Sequence, residues 1–321
     1  MAWGTGLLLV LAAATVTVTT RAFRVVGQYD GVTPSVDAVP WHLYTHVRYG
    51  APTVGDNGTC TCNRTLMATV VATAHRHGTA VLWAPGGVDN TSVPTLIHRP
   101  DDPFTRTYMA TIAHAMDACD VDGLEIDYEH GPNRWGVVLP DDATRYTVFL
   151  ATLRRITHRP VSADVSIWGV APGNYVLGVL PWVNVSMLNA GAFDFVNTMS
   201  YHWNRDGMID AWEKDVFFAV DVWGMDPGRV SLGLPYYTHP SQHPWGTVSP
   251  ACPHVEPTVN TCGNQVFVGK AMNYAVGRLA ADHALGGVFP WALSYDAFDN
   301  NNNNTLVPYL YAGYTRAPMP V

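Results

Sequence analysis

Apolar and polar positions follow two rhythms along this chain. Short runs rich in β-branched and aromatic residues read as strands. They are Val25–Tyr29, Leu43–Tyr49, Ala80–Ala84, Gly123–Tyr128, Ser162–Ile167, Phe195–Ser200, Val230–Leu234 and Gly287–Trp291. Between most of them, apolar residues recur at the three- and four-residue spacing of an amphipathic helix. The clear cases are Thr65–His77, Phe104–Ala118, Thr144–His158, Met208–Trp223 and Val266–Ala284. The first crossover, Asp30–Pro40, is too short for a regular helix. Alternation of strand and helix implies parallel strands joined by right-handed crossovers. Eight such strands in 321 residues predict an α/β fold, a single (β/α)8 TIM barrel. An open, doubly wound sheet is the structural alternative. No repeat or linker divides the chain, and Asn300–Asn304 reads as a polar surface loop.

The segment Asp122-Gly123-Leu124-Glu125-Ile126-Asp127-Tyr128-Glu129 carries the candidate chemistry. Alternate side chains of a strand share a face. Glu125, Asp127 and Glu129 therefore project together, and Leu124, Ile126 and Tyr128 face the other way. The plain reading is a solvated, charged strand face. The Leu, Ile and Tyr show instead that one face is buried. In a barrel that face packs on helices, so the acids point inward, near the C-terminal mouth where barrel active sites lie. Stacked carboxylates raise one another's proton affinity, which keeps an acid protonated for general-acid work.

The same segment resembles the DGxDxDxE signature of glycoside hydrolase family 18, the chitinases and their relatives. The resemblance covers most of the chain. Val25-Val26-Gly27-Gln28-Tyr29 is similar to the family's first strand, and Trp41-His42-Leu43-Tyr44-Thr45-His46-Val47 to its second. Val81-Leu82-Trp83-Ala84-Pro85-Gly86-Gly87 resembles the SxGG strand, and Asn197-Thr198-Met199-Ser200-Tyr201 the MxYD strand. Leu232-Gly233-Leu234-Pro235-Tyr236-Tyr237 resembles the next strand, and Gly286-Gly287-Val288-Phe289-Pro290-Trp291 the last. The resemblance implies hydrolysis of β-1,4-linked N-acetylglucosamine in chitin or chito-oligosaccharides, with no cofactor. It implies that Glu129 protonates the glycosidic oxygen while the substrate's own acetamido oxygen attacks the anomeric carbon. Asp127 would orient the acetamido N–H, Tyr201 would bond its carbonyl, and Trp291 would floor the −1 sugar. Glu125 and Asp122 are the supporting carboxylates. Met199, His202, Trp203, Tyr237 and Asp164 complete the expected substrate-binding set.

Three positions depart from the family pattern. Glu125 stands where the family usually has Asp, Ala84 where it has Ser, and His202 where it has the Asp of MxYD. The extra methylene of Glu125 and the space left by Ala84 suggest a compensating pair. Val161-Ser162-Ala163-Asp164-Val165 resembles the fifth strand of lysosomal di-N-acetylchitobiases. Between Pro235 and Gly286 the chain is too short for the α+β insertion that deepens many chitinase grooves, so a shallower or shorter cleft is expected.

The N-terminus modifies the domain picture. Gly6 to Val16 is an apolar run, and Thr20-Arg21-Ala22 approximates a small-x-small cleavage site. Residues 1–22 read as a secretory signal peptide ahead of a catalytic barrel spanning 23–321. No stable membrane span is expected, because the run is short for one; an uncleaved anchor and an ordinary first helix are the alternatives. Glycosylation sequons at Asn57, Asn63, Asn90, Asn184 and Asn303 agree with a secreted or lysosome-like destination. The cysteines are Cys60, Cys62, Cys119, Cys252 and Cys262, an odd count that leaves one thiol over. Cys252 and Cys262 bracket a Pro-, Thr- and Asn-rich loop and are the favoured pair; Cys119 pairs with Cys60 or Cys62. No metal site is expected, since the histidines show no ligand spacing, and His130 reads first as a structural group. A net charge of −8 lacks the basic stripe that nucleic acid requires. Two rivals remain: an endo-β-N-acetylglucosaminidase or chitobiase on N-glycan cores, and a non-catalytic chitin-binding lectin. Retention of Glu129 and Asp127 argues against the lectin.

Overall fold

Eight parallel strands close into a ring in chain order. A computed structural model describes residues 23–32, 34–87, 92–129, 140–167, 182–201, 209–252, 256–298 and 304–320. The strands are β1 (Arg24–Gln28), β2 (His46–Arg48), β3 (Ala80–Trp83), β4 (Gly123–Asp127), β5 (Val161–Val165), β6 (Phe195–Thr198), β7 (Val230–Pro235) and β8 (Gly287–Trp291). Each pairs with its chain neighbours, and β8 returns to β1 through Arg24↔Gly287 and Val25↔Val288. The ring is the (β/α)8 barrel that the sequence predicts, and the open sheet is excluded. Leu43–Tyr49 is a correction: Trp41–Leu43 forms a 3-10 turn, and the strand begins only at His46. The turn puts Trp41 and Tyr44 into the core at 2% and 3% exposure, where an extended chain would send neighbours to opposite faces.

The outer helices arise from local signals. Helix α1 (Arg64–Arg76) starts where Asn63 caps the Leu66 N–H, and α2 (Ser92–His98) precedes the longer α3 (Pro103–Cys119). In α3, Asp102 accepts from Phe104 N and Pro103 fills the first turn, where its missing N–H has no cost. The buried stripe Tyr108, Ile112, Ala115, Met116, Cys119 keeps helical spacing. A left-handed Asp120 ends the helix. Helix α4 (Pro140–Thr157) and the short α5 (Val185–Asn189), capped by Asn184, flank β5. Helix α6 (Asp210–Val216) continues as a π-helical turn, Phe217–Val222. Between β7 and β8 lie α7 (Trp245–Val248), a two-residue ladder and α8 (Lys270–Asp282), and the described residues there build no α+β insertion domain. The chain closes with α9 (Val307–Thr315), which the helix patterns miss because aromatic residues spread around it.

Disulfides join Cys62 to Cys119 and Cys252 to Cys262, leaving Cys60 as a buried free thiol. Among the described residues, no helix is long and apolar enough to cross a membrane. Residues 1–22, Asn90, His130, His202, Trp203 and Asn303 lie outside the described residues.

Two apolar compartments result. The larger lies between strands and helices and holds Leu124, Ile126 and Tyr128. The smaller fills the barrel itself with Val26, Leu82, Phe195 and Phe289, and Tyr201 and Trp291 pack on it. At the strands' N-terminal ends, Arg24 lies 4.3 Å from the Phe195 ring centre and His46 meets the same ring edge-on. Burial and the Arg24 charge push the His46 pKa down to about 4, so it plugs the floor as a neutral ring.

Helices α8 and α9 approach so closely that each needs a glycine at the crossing. A Cβ on Gly277 would stand 2.2 Å from Leu310 O, and one on Gly313 would stand 2.1 Å from Tyr274 O. Glycine to alanine in a helix ordinarily stabilises, by about 1 kcal/mol. Here Gly277→Ala is expected to destabilise, by about 1–3 kcal/mol, because backbone must move to admit the methyl. Urea melts of the two proteins check the sign; a stabilised variant would mean the crossing is loose.

Candidate active site

Strand β4 carries the acids inward, as its alternation requires. Glu125 is fully buried and Asp127 is 6% exposed, while Tyr128 turns outward against Tyr146 and Trp182. Glu129 lies two residues beyond the strand end, partly exposed at the mouth. The loop after β3 fixes this end of β4. Gly87 N donates to Asp127 O at 2.8 Å, and Asp127 N donates to Pro85 O at 3.1 Å. Gly86 has φ +133, and a Cβ there would stand 1.9 Å from Asp127 O, so only glycine fits.

The acids are not left to repel one another. Arg48, on β2, reaches into their midst and is itself 2% exposed. Its Nε lies 2.7 Å from Glu125 Oε1, its Nη1 lies 2.7 Å from Asp164 Oδ2, and its Nη2 lies 3.3 Å from Asp127 Oδ2. The first two are close charge contacts whose N–H bonds point off the oxygens; the third is an aligned hydrogen bond. Asn197 Nδ2 donates to Glu125 Oε2 at 2.5 Å and to Asp164 Oδ1 at 3.2 Å. Ser162 Oγ donates to Glu125 Oε2 at 3.2 Å. The longer Glu125 is therefore accommodated by Arg48, Asn197 and Ser162, and Ala84 offers no side-chain hydrogen bond to it.

Burial is the main cause of the raised pKa of Glu125, with Asp127 adding to it and Arg48 pulling down. Asp164 is raised well above the usual carboxylate range, again by burial first, against the pull of Arg48. Mutual repulsion, the cause expected from the sequence, is thus the lesser one. Burial works against the Arg48 charge, but Asp164, Glu125 and Asp127 outweigh it and keep the guanidinium protonated.

Rings roof this cluster. Tyr201 lies 6.3 Å from Trp291, 6.4 Å from Tyr237 and 6.5 Å from Phe289, centre to centre. The Arg48 guanidinium carbon sits 5.1 Å from the Trp291 ring centre. Burial and the nearby Asp164 raise the Tyr201 pKa, so its hydroxyl stays a donor. Met199 follows β6, its N–H bonded to Val165 O, and is partly exposed.

Asp164, expected among the substrate-binding residues, belongs to the buried layer under the mouth, at 1% exposure. Asp122, expected as a supporting carboxylate, sits at the base of β4. Its carboxylate accepts from Val81 N at 2.7 Å and meets His75 Nε2 at 2.8 Å, tying the base of β4 to β3 and α1. It shares parity with Leu124 and Ile126, which already places it on the outward face. Arg48 is the residue the sequence reading missed. The available signal was an arginine two places after His46 on the inward parity of a strand.

No protein-family model matches the chain, and no curated protein matches it by sequence. Solved structures do match. A chitinase from Bacteroides thetaiotaomicron superposes with a TM-score of 0.71 at 18% identity, over 91% of this chain and 96% of the other. The GH18 chitinase ChiB of Flavobacterium johnsoniae gives 0.69 at 18%, over 92% and 95%. The GH18 chitinase of Cycas revoluta, solved with (GlcNAc)3, gives 0.70 at 14%, over 91% and 99%.

The fold is that of the GH18 chitinases. In the chitinase-like barrel of this chain, β8 ends at Trp291, and the segment beyond it is tied down by a buried acid. Asp296, fully buried, accepts backbone N–H bonds from Ala297, Leu306 and Val307, and so anchors the loop beyond β8 to the start of α9. Burial pushes its pKa up to about 7, partly offset by those three bonds. A folded aspartate that binds a proton the unfolded chain has released loses stability as pH rises. Stability is therefore expected to fall between about pH 4 and pH 7 by up to about 4 kcal/mol from this group, and Asp296→Asn removes that slope. Urea melts across the window test it; parallel curves for the two proteins would reject the role.

Proposed function

We propose that this chain is a member of glycoside hydrolase family 18 that hydrolyses β-1,4-linked N-acetylglucosamine oligomers or chitin with retention. One observation carries the reading. Inward-facing Asp127 and the following Glu129 lie at the C-terminal mouth, beside the ring cluster of Tyr201 and Trp291. Glu129 serves as proton donor and then as base for the incoming water. Asp127 presents a carboxylate to the acetamido N–H, and Tyr201 donates to the acetamido carbonyl, which becomes the nucleophile. No second carboxylate nucleophile is needed, unlike the usual two-carboxylate scheme. Trp291 provides an apolar face for a pyranose ring. Tyr237, beside Tyr201, extends that face, and Met199, His202 and Trp203 complete the substrate-binding set.

The disulfides suit an oxidising compartment. Residues 1–22 serve as a signal peptide in this reading, and the enzyme acts outside the cell or in a lysosome-like compartment. The short segment between β7 and β8 leaves a shallow cleft with few subsites.

Glu129→Gln is expected to keep the far-UV CD spectrum and lose about 10²–10⁴-fold in turnover of a chromogenic chitobioside. Wild-type product should appear first as the β-anomer by NMR, and deacetylated oligomers should hardly react. Initial α-anomer, or equal rates on glucosamine and N-acetylglucosamine chains, would overturn the mechanism.

A further inference from the structure

A single guanidinium touches all three buried carboxylates of the site. Arg48 enters from β2 and meets Glu125 and Asp127 of β4 and Asp164 of β5. Only Asp127 among them reaches the mouth, and the guanidinium holds just its Oδ2. Asp127 Oδ1 is buried and has no hydrogen-bond partner. A buried carboxylate oxygen left without a donor is costly, and in the proposed reaction a substrate amide N–H would supply that donor.

We propose that Arg48 is a positioning residue: its hydrogen bond and charge anchor Asp127 through Oδ2, so that Oδ1 is left for the acetamido N–H. The proposal rests on the glycosidase reading above. Carboxylates packed together without a cation must share protons. A guanidinium is always charged, and its planar fork reaches three partners from one position, which a lysine ammonium does not. Any proton the cluster keeps goes to the deeper Glu125 and Asp164, which also share Asn197 and whose burial favours the neutral form. Among the described residues, the other titratable groups close to this layer are Tyr201 above it and Tyr146 of α4, whose hydroxyl donates to Ile126 O. Both phenols are held neutral by burial. Glu129 stands two residues beyond Asp127. Across the layer, Phe289 and Trp291 lie 5.4 and 5.1 Å from the guanidinium carbon and hold it in place.

The test compares wild type with Arg48→Lys and Arg48→Met in two measurements. The first is the pH dependence of kcat and KM on chitotriose. The second is the pH dependence of the melting temperature, which needs no activity. Removing the cation raises the folded pKa of the carboxylates, and such groups lose stability as pH rises. The Arg48→Met deficit in melting temperature is therefore expected to widen from pH 4 to pH 8. Its acidic limb of kcat is expected to move up by about one pH unit. Its kcat is expected to drop on the order of 10–100-fold, with KM changing less. Arg48→Lys restores the charge and narrows the melting deficit, without recovering full kcat. Should Arg48→Met fail to fold, Arg48→Met combined with Glu125→Gln and Asp164→Asn removes the surplus charge and leaves Asp127 as the reporter. A melting deficit constant with pH, or an unmoved acidic limb, would overturn the proposal and leave Arg48 a packing residue. An inactive wild type would overturn the glycosidase reading alone, while the melting series still decides whether the Arg48 charge acts on the buried carboxylates.

Discussion

Carboxylates in a barrel interior need a counter-charge, and that requirement shapes this protein's centre. Glu125, Asp164 and Asp127 sit where little water reaches. Taking one such ion out of water costs several kcal/mol even after the protein relaxes. Arg48 meets that demand from β2, two strands round the ring from β4, and Asn197 and Ser162 supply further donors. The strands β2, β4, β5 and β6 are therefore bound to one another through their contents as well as through their ladders. Removing one partner from such a group strands the others, which makes the cluster a demanding arrangement and a specific one.

The interior is graded along its axis. A neutral His46 and Arg24 stand at the floor, four apolar side chains fill the next level, and the charged layer lies above them. The aromatic roof of Tyr201 and Trp291 rests on both. Chemistry is thus confined to the C-terminal mouth, where loops from successive strands converge. The arrangement also explains why the apolar plug is small: Val26, Leu82, Phe195 and Phe289 need fill only the space between two polar levels.

Much of this was legible in the sequence, because parity is a strong constraint. The two-residue period of β4 fixes which side chains face inward, and it is obeyed by Glu125, Asp127, Ile126 and Tyr128. The same parity puts Asp122 on the outward face, where it holds Val81 N and His75. Arg48 was not legible as part of the site, since its partners are 77 to 116 positions away in the chain and only ring closure brings them together. Helix α9 escaped notice for a related reason. Its packing depends on a glycine-to-glycine crossing with α8, and an apolar stripe is not what marks it.

Two helix starts carry a double role. Asn63 and Asn184 each cap a helix through the side-chain oxygen, taking the N–H of Leu66 and of Met187. Both are also sequon asparagines, and a glycan attaches through the amide nitrogen. Cap and sugar thus occupy different atoms of one side chain, so the helix can keep its start when the sugar is present. The usual Asn→Gln replacement would confound the two at these positions, by deleting the cap together with the attachment point. Replacing Thr65, the third sequon residue, separates them, because it leaves the Asn63 oxygen in place.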